Sequence, residues 1–405
     1  MPEVAGESTE KALPDQRGDG STQQKPSFSW KHLVANLGLV LGAVAVALVI
    51  GEAITRVLAP QQLILIEPGV WQPVDTIGYT FRAGLDRSLN TGERTVRLIT
   101  DRDGFRVGSA GRVVADSAIM LMGDSFLGAL QVEYEQSLPG IMQQELPGTL
   151  GFPVAIRNAA VPGWDPAQYF YRTRTLVGQD KYQLVVVGVY VGNDAVARPL
   201  RPVPPIKPII SRRFRWPRRV SWAELVDAWL RPFNDVMETH SHLFVLAKKQ
   251  FQTVLMRVGL TPEYFPVEFR RSEASSPRWN NTADILKRLA TAADPTPTLF
   301  VLIPTPFQVD SAVFTQYLAG FDIDPATVDL DQPSVLLGAA LESRGLRVLD
   351  ALPRFRELTA AGRSLYGQVD RHLTPAGHQA LWELIRPTVY SLLGDPPPAR
   401  RGPGL

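Results

Sequence analysis

The hydrophobic pattern of the chain is dominated by one long apolar run near the N-terminus. Residues 33–51 contain no charged side chain, and they are apolar on every face of a helix. A helix of this length spans about 28 Å, close to the thickness of the hydrocarbon core of a bilayer. The run therefore predicts one transmembrane helix, which we place at residues 31–58.

The residues on either side of this run predict its orientation. Residues 1–30 are polar and are predicted to be a disordered tail in the cytoplasm. Lys25 and Lys31 precede the run without an acidic residue between them, which favours a cytoplasmic N-terminus. The polar region is too long for a cleaved signal peptide, and no clear small-x-small site follows the run. We predict a single-pass signal anchor in the inner or plasma membrane, with the rest of the chain periplasmic or extracellular. A signal peptide and a buried core helix are the alternatives.

Five shorter apolar runs predict the strands of a parallel sheet. Helical patterns lie between several of them, and this alternation is typical of a doubly wound α/β fold. The runs occupy residues 118–122, 153–158, 184–191, 298–303 and 346–350. Upstream, residues 74–112 combine short alternating segments with turn residues and predict a β-rich lead-in.

The main domain is predicted to span residues 59–395, with a helical insertion at about 198–290 and a flexible tail at 396–405. Within the insertion, residues 198–219 hold eight basic residues and no acidic one, interrupted by prolines. This segment fits either contact with anionic lipid head groups or an acidic polymer, or a solvated loop. Residues 221–258 are predicted to form one or two amphipathic helices.

Composition narrows the possible chemistry. The chain has 405 residues and no cysteine, so disulfides and thiolate metal sites are excluded. A net charge of +2 gives no reason to expect a nucleic acid or another polyanionic partner. His240 and His242 stand without carboxylates at metal-ligand spacing. No metal and no organic cofactor is predicted.

The first predicted strand ends in a motif that can carry chemistry. Gly123 and Asp124 make a tight turn, and Ser125 stands where a helix can begin. Open α/β sheets bind ligands at the carboxyl ends of their strands. A serine there offers a nucleophilic hydroxyl and one backbone N–H for an oxyanion. Glycine, aspartate and serine are also common in turns that have no catalytic role. The assignment of Ser125 as a nucleophile therefore depends on the rest of the chain.

A second candidate group lies near the C-terminus. Thr374 and the proline after it predict the N-cap and first position of a final helix. Asp370 and His372 precede this cap, and in an extended segment their side chains project to the same side. The aspartate can then hold an imidazole whose other nitrogen takes a serine proton. His378 falls inside the final helix and is predicted to have a structural or supporting role.

Four short blocks resemble, in their order, those of the SGNH (GDSL-type) hydrolases. The blocks are Gly123-Asp-Ser125, the Asn158…Gly163 loop, Gly192-Asn-Asp194 and Asp370-x-His372. The resemblance spans residues 118–385, and the Gly-Phe-Arg segment at 104–106 is similar to a lead-in of membrane-anchored members. It implies a flavodoxin-like three-layer α/β/α sandwich with a five-stranded parallel sheet.

The resemblance also implies roles for individual residues. Ser125 would be the nucleophile, His372 the general base and later the general acid, and Asp370 the residue that orients His372. The oxyanion hole would consist of the N–H groups of Ser125 and Gly163 and the side-chain amide of Asn193. Three donors from three strand ends can converge on the charge that develops on an attacked ester carbonyl.

The last block departs from the commonest family pattern, because one residue rather than two separates Asp370 from His372. This spacing resembles the branch that includes alginate O-acetylation proteins, although the Trp that follows the His in that branch is Leu373 here. The resemblance implies a serine-dependent ester hydrolase or O-acyltransferase acting on acyl or acetyl esters of an envelope polysaccharide, with the polysaccharide machinery as a candidate partner. The alternative is a catalytically silent carbohydrate-binding or assembly protein on the same fold.

Overall fold

The computed structural model describes residues 30–61, 63, 69–196, 199–205, 230, 233–234, 236–257, 265–321 and 323–394. These residues belong to two compact units, which divide between Gly51 and Glu52. The predicted tails, apart from Trp30, lie outside the described residues, and so does most of the basic segment 198–219.

The described part of the first unit is an apolar helix. Helix α1 runs from Trp30 to Leu58, so its last turns belong to the second unit. The most apolar 18-residue stretch within Leu33–Leu58 has a mean hydropathy of 2.6 and is not buried. Length and composition therefore allow α1 to cross a membrane, although an N-terminal signal sequence has the same two properties. Among the described residues, no other helix is long and apolar enough to cross a membrane.

The second unit is organised by a sheet whose central part is parallel. Its five parallel strands are β6 (Ala118–Met122), β7 (Ala155–Asn158), β8 (Tyr182–Tyr190), β9 (Thr298–Ile303) and β10 (Val348–Asp350). They lie in the order β7-β6-β8-β9-β10, and each neighbouring pair is parallel. Counted along the chain this is 2-1-3-4-5, the flavodoxin-like order. The predicted flavodoxin-like α/β fold is confirmed.

The five predicted parallel strands are present, but the lead-in extends the same sheet to eight strands, which the prediction did not include. The additional strands are antiparallel: β3 (Asp86–Asn90), β4 (Thr95–Thr100) and β5 (Arg106–Val107). They cover the edge of β7, which would otherwise leave its N–H and C=O groups unpaired. A separate antiparallel pair consists of β1 (Trp71–Val74) and β2 (Gly78–Phe81).

Helices cover both faces of the sheet. In the described part of the second unit the helices include α2 (Ser125–Gly128), α3 (Leu138–Leu150), α4 (Pro166–Leu176), α5 (His242–Arg257), α6 (Arg278–Ala293), α7 (Pro306–Val309), α8 (Ser311–Phe321), α9 (Gln332–Glu342), α10 (Leu352–Ala360) and α11 (Pro375–Leu393). Side chains of α4, α6 and α9 join the core on one face, and those of α3, α10 and α11 join the core on the other. The three-layer sandwich is confirmed.

Strand β6 shows how the sequence produces this arrangement. Ile119 and Leu121 belong to one core, whereas Met120 and Met122 belong to the other, because successive side chains of a strand point to opposite faces. All four are fully buried. Burial of each such side chain contributes about 1.5–3 kcal/mol, so the strand that leads to Ser125 is firmly held.

Candidate active site

Ser125 lies where the sequence predicts it, at the first position of α2 directly after β6. Asp124 caps this short helix, and its carboxylate accepts a hydrogen bond from the backbone N–H of Phe126 at 2.9 Å. Gly123 passes close to the neighbouring strand, since a Cβ atom there would lie 3.1 Å from the carbonyl oxygen of Gly188. The turn therefore presents a half-buried serine at the carboxyl edge of the sheet.

Two buried polar side chains hold the segment that follows Ser125. The guanidinium of Arg106 is fully buried and donates to the carbonyl oxygens of Ala129, at 2.5 Å, and Val132, at 2.7 Å. Asn158 donates from its amide to the carbonyl oxygen of Leu127 at 3.0 Å. These bonds satisfy carbonyl groups at the end of α2 that have no partner within a helix. Both residues belong to segments that resemble the family, but their positioning role was not predicted.

His372 contacts Ser125 directly. Its Nε2 atom lies 2.9 Å from the Ser125 Oγ, and its Nδ1 atom lies 2.9 Å from the backbone carbonyl oxygen of Asp370. A carbonyl oxygen can only accept, so Nδ1 carries the proton and Nε2 is left with a lone pair. This tautomer lets Nε2 accept the hydroxyl proton of Ser125.

Asp370 holds the histidine differently from our expectation. Its carboxylate accepts from the backbone N–H of His372 at 3.0 Å, and the bond to the imidazole comes from its main-chain carbonyl. The expected extended segment is wrong because Arg371, between the two, has a φ of 62°. A left-handed residue there folds the chain back, so the carboxylate and the imidazole do not project side by side.

The surroundings of His372 are apolar and aromatic. The Phe126 ring centroid lies 4.9 Å from that of His372, and Phe126 stacks on Tyr190 at 4.0 Å. Burial lowers the pKa of His372 to about 4, although the hydrogen bond to Asp370 opposes this shift. The imidazole is therefore neutral at neutral pH, which is the state that a general base requires.

Glu93 is a further residue of the site, and no sequence block contains it. It lies on the turn between β3 and β4, and its Oε1 accepts from the backbone N–H of Val369 at 2.8 Å. Burial and the neighbouring Glu93 carboxylate raise the pKa of Asp370 to about 7. The hydrogen bond between Glu93 and Val369 ties the hairpin to the loop that carries His372.

Gly163 follows β7, and β7 and β8 flank β6 in the sheet. The Val161 N–H donates to the carbonyl oxygen of Gly123 at 3.1 Å, which joins the loop after β7 to the nucleophile turn. Gly163 has a φ of 79°, and a Cβ atom there would lie 2.6 Å from the Tyr79 hydroxyl oxygen. Both features require glycine at this exposed position. Its role as an oxyanion donor stays a prediction.

Asn193 follows β8 on the other side of β6 and is exposed. The next residue, Asp194, is fully buried and accepts from the Tyr190 N–H at 2.8 Å and the Tyr169 hydroxyl at 3.1 Å. Burial raises the pKa of Asp124 to about 6, and a hydrogen bond from the Asn193 side chain opposes this shift. The role of Asn193 as an oxyanion donor also stays a prediction.

The other histidines have different surroundings. Thr374 caps α11 as predicted, accepting from the Gly377 N–H at 3.1 Å, and His378 lies buried inside that helix. Within the described residues the Nδ1 of His378 has no hydrogen-bond partner. Burial lowers its pKa to about 3. No group of three His, Cys, Asp or Glu side chains in the described ranges could hold a metal ion.

A cavity of about 480 Å³ opens beside His372. Its walls carry charged and amide side chains together with a few apolar ones. The polar members include Glu93, Arg94, Gln131, Gln368 and Asp370. The cavity thus adjoins the imidazole with a wall rich in hydrogen-bond donors and acceptors.

No protein-family model matches this chain, and no curated protein matches it. It is similar to several solved structures. One is a member of the lipolytic protein G-D-S-L family from Veillonella parvula DSM 2008, at 10% identity and a TM-score of 0.34, with 68% of this chain and 98% of that chain covered. Another is Axe2, an acetylxylan esterase from Geobacillus stearothermophilus, at 13% identity and a TM-score of 0.34, with 69% of this chain and 97% of that chain covered.

A third is LAE5, an alpha/beta hydrolase enzyme from the metagenome of Lake Arreo, Spain, at 12% identity and a TM-score of 0.38, with 70% of this chain and 98% of that chain covered. Likenesses this distant carry no argument about the chemistry of this chain. The interpretation of the site therefore rests on its own residues: a serine on a strand-to-helix turn, hydrogen-bonded to a neutral, oriented histidine.

Proposed function

We propose that this protein is a serine-dependent ester hydrolase or O-acyltransferase of the SGNH type. The observation that carries the proposal is the 2.9 Å contact between the Ser125 Oγ and the His372 Nε2, with the tautomer fixed by the Asp370 carbonyl. An acyl-enzyme mechanism requires a nucleophile, a base in contact with it and a group that orients the base. The four sequence blocks support the same roles.

The proposed reaction follows from these positions. Ser125 attacks the ester carbonyl while His372 accepts its proton, and negative charge develops on the carbonyl oxygen. The N–H groups of Ser125 and Gly163 and the amide of Asn193 would bind this oxyanion. His372 then returns the proton to the leaving alcohol, and an acyl-enzyme remains. Water or a hydroxyl group of an acceptor releases the acyl group in the second half-reaction.

For the substrate we propose acyl or acetyl esters of an envelope polysaccharide. The cavity adjoins His372, which exchanges a proton with the alcohol oxygen of the ester. Its donors and acceptors suit the hydroxyl-rich alcohol portion of a sugar ester. Phe126, which follows Ser125, packs against Tyr190 and Tyr366, and this aromatic group suits a small acyl group. A silent carbohydrate-binding protein could use the same cavity, but it has no need of an oriented imidazole on a serine.

We further propose that α1 anchors the protein as a single-pass helix and that the second unit lies outside the cytoplasm. The apolar run and the lysines before it support this orientation. A C-terminal reporter that is active only after export should be active. An inactive reporter on a stably expressed fusion would contradict the orientation.

The proposed activity is tested by incubating the full-length protein in detergent with an activated acetyl ester and, separately, with an acetylated oligosaccharide. We expect acetate release from both and a faster release from the oligosaccharide, because only that substrate offers several hydroxyl groups to the polar wall of the cavity. Transfer to an added, unacetylated oligosaccharide would identify an acyltransferase. The absence of any turnover in a protein that melts cooperatively would favour the silent binding protein.

A further inference from the structure

The second unit exposes a group of large apolar side chains on its helical segment between β8 and β9. Outside α1, eight large apolar side chains of the described residues are exposed, and five of them lie within residues 230–254. These five are Leu230, Phe233, Val236, Phe251 and Val254, with exposed fractions of 44–63%. Clusters of this kind mark interaction sites, whereas single exposed apolar residues are normal. We call Phe233, Val236, Phe251 and Val254 the apolar patch.

Helix α5 has the pattern of a helix that binds a lipid surface. Ala247, Phe251 and Val254 are spaced by four and three residues, so they follow one side of the helix, and all three are exposed. The sequence of α5 contains Lys248, Lys249 and Arg257 and no acidic residue, although Lys248 is paired with Glu238 of the preceding segment. Basic residues together with an apolar stripe are typical of helices at the surface of anionic membranes.

The two parts of the patch are joined by an aromatic contact. Phe233, in the helical segment before α5, packs edge-on against Phe244 of α5 with ring centroids 6.0 Å apart. The Lys248 ammonium hydrogen-bonds the Glu238 carboxylate across the same two segments. These two contacts join the helical segments that carry the patch.

The N-terminus of α5 is attached to the last turns of α1. Glu52 is the first charged residue after the uncharged run 33–51. Its carboxylate accepts from the Ser241 hydroxyl at 2.7 Å and from the backbone N–H groups of His242 and Leu243 at 3.0 Å each. It thus caps α5 from another part of the chain.

A second bond fixes the same junction. The Arg56 guanidinium donates to the His240 carbonyl oxygen at 2.7 Å. If α1 crosses the membrane, Glu52 must lie at the edge of the hydrocarbon, because a carboxylate inside it is costly. Helix α5 then begins at the membrane interface, and its length of about 24 Å keeps the patch within reach of that interface.

We propose that the apolar patch inserts into the outer lipid leaflet at the point where α1 leaves the membrane, with the acyl chains of anionic phospholipids as its occupant. The proposal rests on the anchoring proposed above and goes beyond it, because a single-span anchor alone would leave the second unit free to move. Insertion of the patch holds the active-site unit against the membrane surface. A substrate presented at that surface would then meet Ser125 without a search through bulk solvent.

Single-cysteine variants test this directly, because the natural chain has no cysteine. Phe251→Cys and Val254→Cys report on the patch. Val335→Cys is the matched control, since Val335 is 60% exposed on α9 and is not part of the patch. Each full-length variant is labelled with an environment-sensitive fluorophore and reconstituted into nanodiscs of phosphatidylethanolamine and phosphatidylglycerol.

We expect a blue-shifted emission at positions 251 and 254 that lipids with brominated acyl chains quench, and neither effect at position 335. Water-like emission at both patch positions would overturn the proposal. A blue-shifted emission that the brominated lipids do not quench would also overturn the proposal, since it indicates that a second copy or a protein partner covers the patch. Two controls accompany each variant. Resistance to alkaline extraction shows that the protein is still anchored in the membrane, and a cooperative melt shows that it is still folded.

Discussion

Ser125→Ala is expected to abolish acyl-ester turnover, with kcat reduced on the order of 10⁶-fold, as for the loss of a serine nucleophile that acts within a triad. The variant keeps the turn, the oxyanion donors and His372, but it has no atom that can form the acyl-enzyme. We expect little change in folding, because Ser125 is half-buried and the turn is held by other residues. The free energy of unfolding should change by less than about 1 kcal/mol.

Steady-state hydrolysis of an activated acetyl ester, together with thermal melts of both proteins, measures this effect. The comparison is meaningful only if the variant melts cooperatively at a similar temperature. A variant that retains most of the wild-type rate would show that Ser125 is not the nucleophile.

His372→Ala should lose several orders of magnitude in kcat, because among the described residues it removes the base that contacts the Ser125 Oγ. The His372 Nε2 contacts the Ser125 hydroxyl, and the His372 Nδ1 is held by the Asp370 carbonyl oxygen. Burial keeps the imidazole neutral at neutral pH, so this base is available without a change of pH.

His378→Ala is the matched control for that variant. His378 is as buried as a core residue, but it lies within α11 and its Nδ1 has no partner among the described residues. Its removal should cost stability of about 0.5–3 kcal/mol, as is typical of single substitutions, and little activity. Should His378→Ala be inactive while His372→Ala survives, both the assignment of the base and the Asp-x-His interpretation would be wrong.

The fold could be predicted from the sequence where apolar runs were long and continuous. All five parallel strands lie within or next to predicted runs, because strands covered by helices on both faces are apolar at nearly every position. The lead-in gave a weaker prediction. Its alternating pattern indicates strands, but nothing in residues 86–107 specifies that they continue the parallel sheet.

The candidate site, too, was predicted from the sequence only in part. The order of the blocks predicted that Ser125 and His372 come together, although 247 residues separate them. The spacing of Asp370 and His372 did not predict their contact, because the left-handed Arg371 decides it and arginine rarely adopts that conformation. Glu93 gave no signal at all, because its contact with Val369 is formed only when the hairpin packs on the last loop.

The central claim is that Ser125 is a nucleophile activated by His372. Labelling of the full-length protein with a fluorophosphonate, followed by mass-spectrometric mapping of the modified peptide, tests it most directly. We predict one covalent adduct, on Ser125, that is absent in Ser125→Ala, strongly slowed in His372→Ala and unchanged in His378→Ala. A folded wild-type protein that does not react, or that reacts at another residue, would contradict the claim.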